Sequence, residues 1–251
     1  VATINRIANT TKFSGKKLLD GSGAYTLSTN TPLSALKNIQ LFAVEFGNTS
    51  VKRVTVRMTT SGQLAVISKS TKGTSAGSAI TLQVTGNKGT EVITIGASQG
   101  NSVIIAAINA VKDATGVSAI TSTTISGGIF FYSTEYGDDQ FVSIQDLDTD
   151  NNNVRYLNDR DVGRDAVITV NGVKATVQGL KADLNTTGLK LHVDVVRQLA
   201  TNTNKVFDVH GGGFKFQLGD KATSSERENV GIQSIHSVGL GDTAEGFLNE
   251  I

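Results

Sequence analysis

The sequence predicts an α+β, β-rich fold: antiparallel sheets and hairpins with one main internal helix. Three observations predict it. Apolar and polar residues alternate along several short runs, the pattern of half-buried strands. The 251 residues include 27 Gly but 1 Pro, and Gly, Ser, Thr and Asn clusters punctuate those runs as turns do. A single internal window carries apolar residues at helical spacing.

The elements follow in order. Ile4, Ile7 and Ala8 lie at i, i+3, i+4 and mark one face of a helix over Val1–Thr10. It opens with no capping signal, so the chain is expected to begin inside a longer helix of a larger protein. Ser14-Gly15 and Asp20-Gly21 are turn signals. Val54, Val56 and Met58 alternate with Arg53, Thr55 and Arg57 in a strand. Leu64–Ile67 is a short apolar run, Ile80, Leu82 and Val84 alternate again, and Val92–Ile95 follows. The internal helix comes next. Asn101 or Ser102 can cap it, Ile104, Ala107, Ile108 and Val111 form its apolar stripe, and Gly116 can end it in the left-handed conformation.

Val117–Ile120, Ile129–Tyr132 and Phe141–Ile144 are strand-like. Val167–Val170 and Val173–Val177 flank Asn171-Gly172, a strong hairpin signal because both residues tolerate positive φ. Leu189, Leu191, Val193 and Val195 alternate with polar residues, as do Phe214, Phe216 and Leu218. Thr243–Ile251 is read as the start of another helix with Thr243 as its cap.

Composition excludes several classes. There are 23 basic and 22 acidic residues, net +1, so no electrostatic footprint for nucleic acid or an anionic membrane exists. No apolar run approaches the roughly 20 residues that span a bilayer, and no signal-peptide pattern opens the chain. With no cysteine, disulfides, thiolate metal sites and a Cys nucleophile are ruled out.

The segment Val1–Gly21, VATINRIANTTKFSGKKLLDG, resembles the stretch of bacterial flagellin where a long helix ends and runs into a β-hairpin. Gly211–Gly219, GGGFKFQLG, resembles the matching return strand. Ser14 stands where that family usually has Asn, and either suits a turn before Gly. Ala79–Leu147 is similar to the IN motif of flagellar filament and hook-associated proteins, through Ala107–Asn109, the step Thr115-Gly116-Val117 and the trailing strand pair. Physically this unit reads as strand, strand, helix, strand, strand, with the helix over one sheet face.

The resemblance implies a fragment of a filament subunit. Residues 1–27 and 205–251 would form the outer part of the conserved core domain, a β-hairpin region with helix ends. Residues 28–204 would form a variable outer domain, with the IN-like unit in 28–161 and a second β unit in 162–204. Core-domain packing would rest on Ile4, Arg6, Ile7, Phe13, Leu18, Leu19, Phe214, Phe216, Leu218 and Ile232. Implied partners are other flagellin subunits, an export chaperone and a cap protein, with possible O-linked sugars on Ser/Thr-rich loops. The implied place is the extracellular filament, reached without a cleaved signal, and the fragment is expected to be monomeric because the polymerising helices lie outside it. The alternatives are a hook–filament junction or cap protein, against which the N-terminal loop argues, and a surface-binding module carried on the filament.

No cofactor and no enzymatic activity are anticipated. His192, His210 and His236 are not at metal spacing and no HExxH occurs. Asp148, Asp150, Asn152 and Asp159 occupy positions 1, 3, 5 and 12 of a calcium-loop pattern, with Asn153 where Gly is usual, a pattern shared with polar surface turns. Gly211-Gly212-Gly213 lacks the Lys-Ser/Thr and the helix start of a phosphate loop, so it is read as a close backbone approach or bulge. No G-x-S-x-G nucleophile elbow appears.

Overall fold

The computed structural model describes residues 1–29, 33–47, 49–70, 79–123, 125, 128–148, 159–197, 199–217, 219–220, 227–242 and 246–248. Leu218, Asp150, Asn152 and Thr243 lie outside these. Antiparallel strands dominate and helices are few, as the alternating runs predict. The chain forms two compact units. Unit 1 comprises 1–58, 168–176 and 181–251, and unit 2 comprises 59–167 and 177–180.

Unit 1 contains two large sheets. One orders its strands Val173–Lys174, Val167–Val170, Val51–Thr60, Asn204–His210, Thr26–Ser28. In the other, Lys181–Thr186, Leu189–Val195, Leu36–Val44, Arg227–Val230 and Phe214–Gln217 are successive neighbours. The period of two decides which side chains go inward. Val54, Val56 and Met58 are buried, and so are Leu189, Leu191, Val193 and Val195, while their polar alternates face out. The hairpin at Asn171-Gly172 forms as read, with Val170 opposite Val173 and φ of 51° and 82° at the two turn residues. Asn171 also clamps the next strand: its backbone N–H donates to Thr55 O at 2.9 Å, and Thr55 N–H donates to its Oδ1 at 2.8 Å.

The N-terminal helix α1 spans Ala2–Thr10. It ends where Thr10 and Thr11 turn their hydroxyls back onto the carbonyls of Arg6 and Ile7. A two-residue hairpin follows, with Phe13 opposite Lys16 and positive φ at Ser14 and Gly15.

Unit 2 contains a four-stranded sheet, ordered Asp159–Val162, Phe141–Asp146, Ile80–Gly86, Gly89–Ile95, and a three-stranded sheet, ordered Val66–Ser70, Gly128–Ser133, Val117–Thr121. Helices α2 (Asn101–Ala110) and α3 (Lys112–Thr115) complete it. One apolar core joins Leu82, Val84, Ile104, Ile108, Ile129, Phe131, Val142 and Ile144.

Three local expectations are corrected. The helix is not capped by Asn101 or Ser102: Gly100 occupies the cap position in extended backbone, so the helix starts one residue earlier. It also breaks at Val111, which leaves helical geometry and is half-buried. The chain end is not helical at Gly246–Phe247, which pairs as a strand with Gly241–Asp242. Backbone pairing outweighs the cap signal at Thr243, whose own position is outside the described residues.

Phe131 is fully buried and touches unit 2's core from the central strand of its sheet. Phe131→Ala is expected to cost about 3–5 kcal/mol of unfolding free energy, read from urea denaturation, because the cavity only partly collapses.

Candidate functional site

The strand–strand–helix–strand–strand unit in residues 80–133 has a specific construction. Ile80–Gly86 and Gly89–Ile95 form a tight hairpin with Gly86 opposite Gly89. Helix α2 sends Ile104 and Ile108 into the core, both fully buried. The next residue, Asn109, sits at the sheet edge. Its Nδ2 donates to Ala119 O at 2.9 Å, and its Oδ1 accepts from Ala119 N–H at 2.9 Å and from the Ser118 hydroxyl at 2.8 Å. One side-chain amide thus stands in for a neighbouring strand along Val117–Thr121.

Thr115 and Gly116 then turn the chain. The Thr115 hydroxyl donates to Val111 O at 2.9 Å and accepts from Val117 N–H at 3.2 Å. Gly116 takes φ of 75°, the left-handed region that a Cβ resists. Val117 enters the core fully buried. The residues A-I-N and T-G-V therefore divide the mechanical work between them. They fill the core, seal the strand edge, end the helix and start the strand.

These residues fall within a match to the family described as the flagellin hook IN motif, over residues 81–135. The unit is similar to that motif. No curated protein matches the chain. Solved structures similar to it include the flagellar cap protein FliD from Bdellovibrio bacteriovorus, at 11% identity and a TM-score of 0.47, covering 69% of this chain and 96% of that one. The D2-D3 domains of FliD from Escherichia coli give 21% identity and a TM-score of 0.45, covering 74% of this chain and 98% of that one. Against the D1-D2-D3 domains of the same protein the values are 20% and 0.46, and the chain spans 62% of that structure's length.

Outside the IN motif, the two ends of the chain run together within unit 1. Ile235 N–H donates to Leu19 O, and Ile232 N–H and Gly213 N–H both donate to Gly23 O, each at 3.1 Å. Asn5 and Ser237 exchange two bonds: Asn5 Nδ2 to Ser237 Oγ at 3.0 Å, and Ser237 N–H to Asn5 Oδ1 at 2.9 Å. The Tyr25 hydroxyl donates to Asn229 O at 2.7 Å and accepts from Val44 N–H at 3.0 Å. At Gly212 a Cβ would lie 2.2 Å from Ala24 O, so the glycine triplet serves a close backbone approach, as read.

The residues named for packing are placed unevenly. Ile4, Leu18, Leu19, Phe214 and Ile232 are half-buried. Phe13 is 60% exposed, with its ring 6.2 Å from that of Phe216, and Ile7 is 45% exposed. Arg6 is exposed. The structure brings Leu19 and Ile232 to one seam and Phe13 to Phe216, and leaves Arg6 and Ile7 at the surface.

Of the calcium-loop residues, Asp148 accepts the Thr81 backbone N–H and Asp159 lies in a strand opposite Ile144. Among the described residues no three His, Cys, Asp or Glu side chains group to hold a metal. The histidines have separate partners. His192 bridges Asp183 at 2.8 Å and Asp194 at 3.1 Å, His236 meets Ser234 at 2.9 Å, and His210 meets Ser28. Ser28, His210 and Asp208 do share a sheet face, but both Asp208 oxygens accept from Arg53, at 2.9 and 3.0 Å, rather than from His210. A shallow cleft of about 550 Å³ in unit 1 is lined by Ala35, Lys37, Val196, Leu199 and Lys205, among others, and holds no acid–base pair.

Asn109 is the residue that the sequence named within a motif without showing its role. The signal is a polar amide directly after a core isoleucine on an otherwise apolar helix. Asn109→Ala is expected to cost about 1–3 kcal/mol in chemical denaturation, since Ala119 loses both amide bonds. Asn109→Asp is expected to be destabilising too, because a carboxylate cannot donate to Ala119 O.

A pH effect follows from Arg53. Hydrogen bonding from its guanidinium holds the Asp208 carboxyl below its usual range. The stabilisation is therefore present above the ordinary carboxylate range and lost as pH falls through the lowered folded value. Thermal melts between about pH 7 and pH 3 are expected to show a smaller acid loss in Asp208→Asn than in the parent chain.

Proposed function

We propose that this chain belongs to a structural component of the bacterial flagellum that works outside the cell. The observation that carries this is the IN motif, matched over residues 81–135 and built as a packed unit in which each motif residue has a mechanical role. The protein serves assembly rather than catalysis. Among the described residues no helix is long and apolar enough to cross a membrane.

Two finer roles fall within this reading. One is a cap or hook–filament junction protein, the cap being the class named for the solved structures above. The other is a main filament subunit, favoured by the segment Val1–Gly21 and by the seam that joins it to residues 213–237. In the second role, residues 1–27 and 205–251 continue into a conserved core and 28–204 project outward. Partners are then further subunits and an export chaperone, and the outward face is open to glycans or to surface binding.

Deleting the gene in the source bacterium and labelling the restored protein with gold for electron microscopy tests this. Loss of normal filaments on deletion, with label on the flagellum, is expected. Label along the whole filament assigns the subunit; label at the distal tip assigns the cap; label at the hook end assigns the junction. Intact flagella and unchanged swimming in the deletion strain, with no flagellar label, would overturn the proposal.

A further inference from the structure

The cleft of unit 1 is bordered by three tight turns. Leu36 N–H donates to Leu33 O at 2.7 Å, Leu199 N–H to Val196 O at 3.0 Å and Thr203 N–H to Ala200 O at 3.3 Å. Its floor is apolar, formed by Ala35 and Leu199, both buried, beside Val196. Lys37 and Lys205 bring two positive charges to it. The rest of its polar lining is hydroxyl, and among the described residues no acidic side chain lines it. Its volume of about 550 Å³ lies within the range of small-molecule sites.

One of these charges is out of place on its strand. Asn204–His210 buries Phe207 and Val209 on its inward face. The period of two puts Lys205 on that same face, and its partner across the sheet, Val56, is fully buried. An apolar residue is expected there, yet the position holds a half-buried lysine. A charge drawn from water toward a core is costly unless an opposite charge meets it. Among the described residues neither Lys37 nor Lys205 has an ion-pair partner. Asp194 stands opposite Lys37 in the sheet, but both its oxygens are engaged, Oδ2 by Asn38 Nδ2 at 2.7 Å and Oδ1 by His192 Nε2 at 3.1 Å. The fold leaves the counter-charge to a ligand.

We propose that this cleft binds a small amphipathic anion, a carboxylate on an apolar tail. The tail covers Ala35, Val196 and Leu199, and the carboxylate meets the ammonium groups of Lys37 and Lys205, which donate charge-assisted bonds to it. Either half alone fits poorly. A neutral tail leaves Lys205 without a counter-charge, and an inorganic anion leaves the apolar floor in water. The site is independent of the flagellar role assigned to the chain.

The test is an NMR titration of the 251-residue chain with sodium hexanoate, followed at the methyl groups of Ala35, Val196 and Leu199. Hexan-1-ol supplies the tail without the charge, and inorganic phosphate the charge without the tail. The expected result is saturable shifts at these methyls with hexanoate, an affinity about tenfold lower for hexan-1-ol, and little shift with phosphate. Lys37→Met and Lys205→Met are each expected to weaken hexanoate binding about tenfold. Lys215→Met, at an exposed position of the same unit, is expected to leave it unchanged. No saturable shift, equal affinity for hexan-1-ol, shifts of equal size with phosphate, affinity retained in either cleft variant, or affinity lost in Lys215→Met overturns the site. If Lys205→Met does not fold, the exposed Lys37→Met decides: affinity retained there overturns the site.

Discussion

The amide of Asn109 closes the edge of the strand Val117–Thr121, on which the helix of the unit similar to the IN motif packs. A strand edge exposes unpaired N–H and C=O groups, and burying them unmet is costly. Here a donor and an acceptor on one rigid group meet both backbone groups of Ala119. Helix α2 is thereby fixed in rotation as well as in position, since turning it would break the amide pair and withdraw Ile104 and Ile108 from the core. The left-handed Gly116 follows from the same need, because the chain must reverse at once to supply the strand that Asn109 seals.

Unit 1 answers a different problem, that of joining residues far apart in sequence. Its seam is polar and backbone-based. Gly23 O accepts two N–H groups from the return segment, Tyr25 spans two strands, and Asn5 meets Ser237. Such bonds set register more than they add stability, because each replaces bonds to water. The apolar rows of Val54, Val56 and Met58 and of Leu189, Leu191, Val193 and Val195 supply the burial. The division of labour matches the sequence, where alternation is strong in the middle strands and glycine concentrates at the seam.

Much of the fold was legible in single residues. Period-two runs located the strands because burial on one face leaves a direct imprint. Asn171-Gly172, Ser14-Gly15 and Gly116 announced their turns, and all three adopt the positive φ that their residue types allow. What was not legible depends on partners distant in sequence. Asn109 reads as a polar residue on a helix until Ala119 is placed beside it. The cap at Gly100 gives no side-chain signal, since a glycine there contributes only backbone. The strand at Gly246–Phe247 exists because Gly241–Asp242 lies opposite, and two residues are too few for a periodic pattern. The bonds from Gln178 to Asp139 and from Gly179 N–H to Asp165 join residues far apart in sequence, and no local spacing reveals them.

Unit 2 interrupts unit 1 twice, between Met58 and Ile168 and again, briefly, between Thr176 and Lys181; the first excursion is the long one. Its two ends lie on neighbouring strands: Thr169 Oγ1 donates to Arg57 O at 3.4 Å, and Thr59 Oγ1 donates to Val167 O at 3.1 Å. The excursion therefore leaves and re-enters its host through adjacent doorways, and the host sheet is already paired across the gap. Loop-closure entropy grows only slowly with length, so the length of the 59–167 excursion adds little to the cost of pairing these strands. Residues 177–180 are a second thread stitched into unit 2, so trimming within 59–167 leaves the paired host strands facing each other but also takes away what that second thread is sewn to.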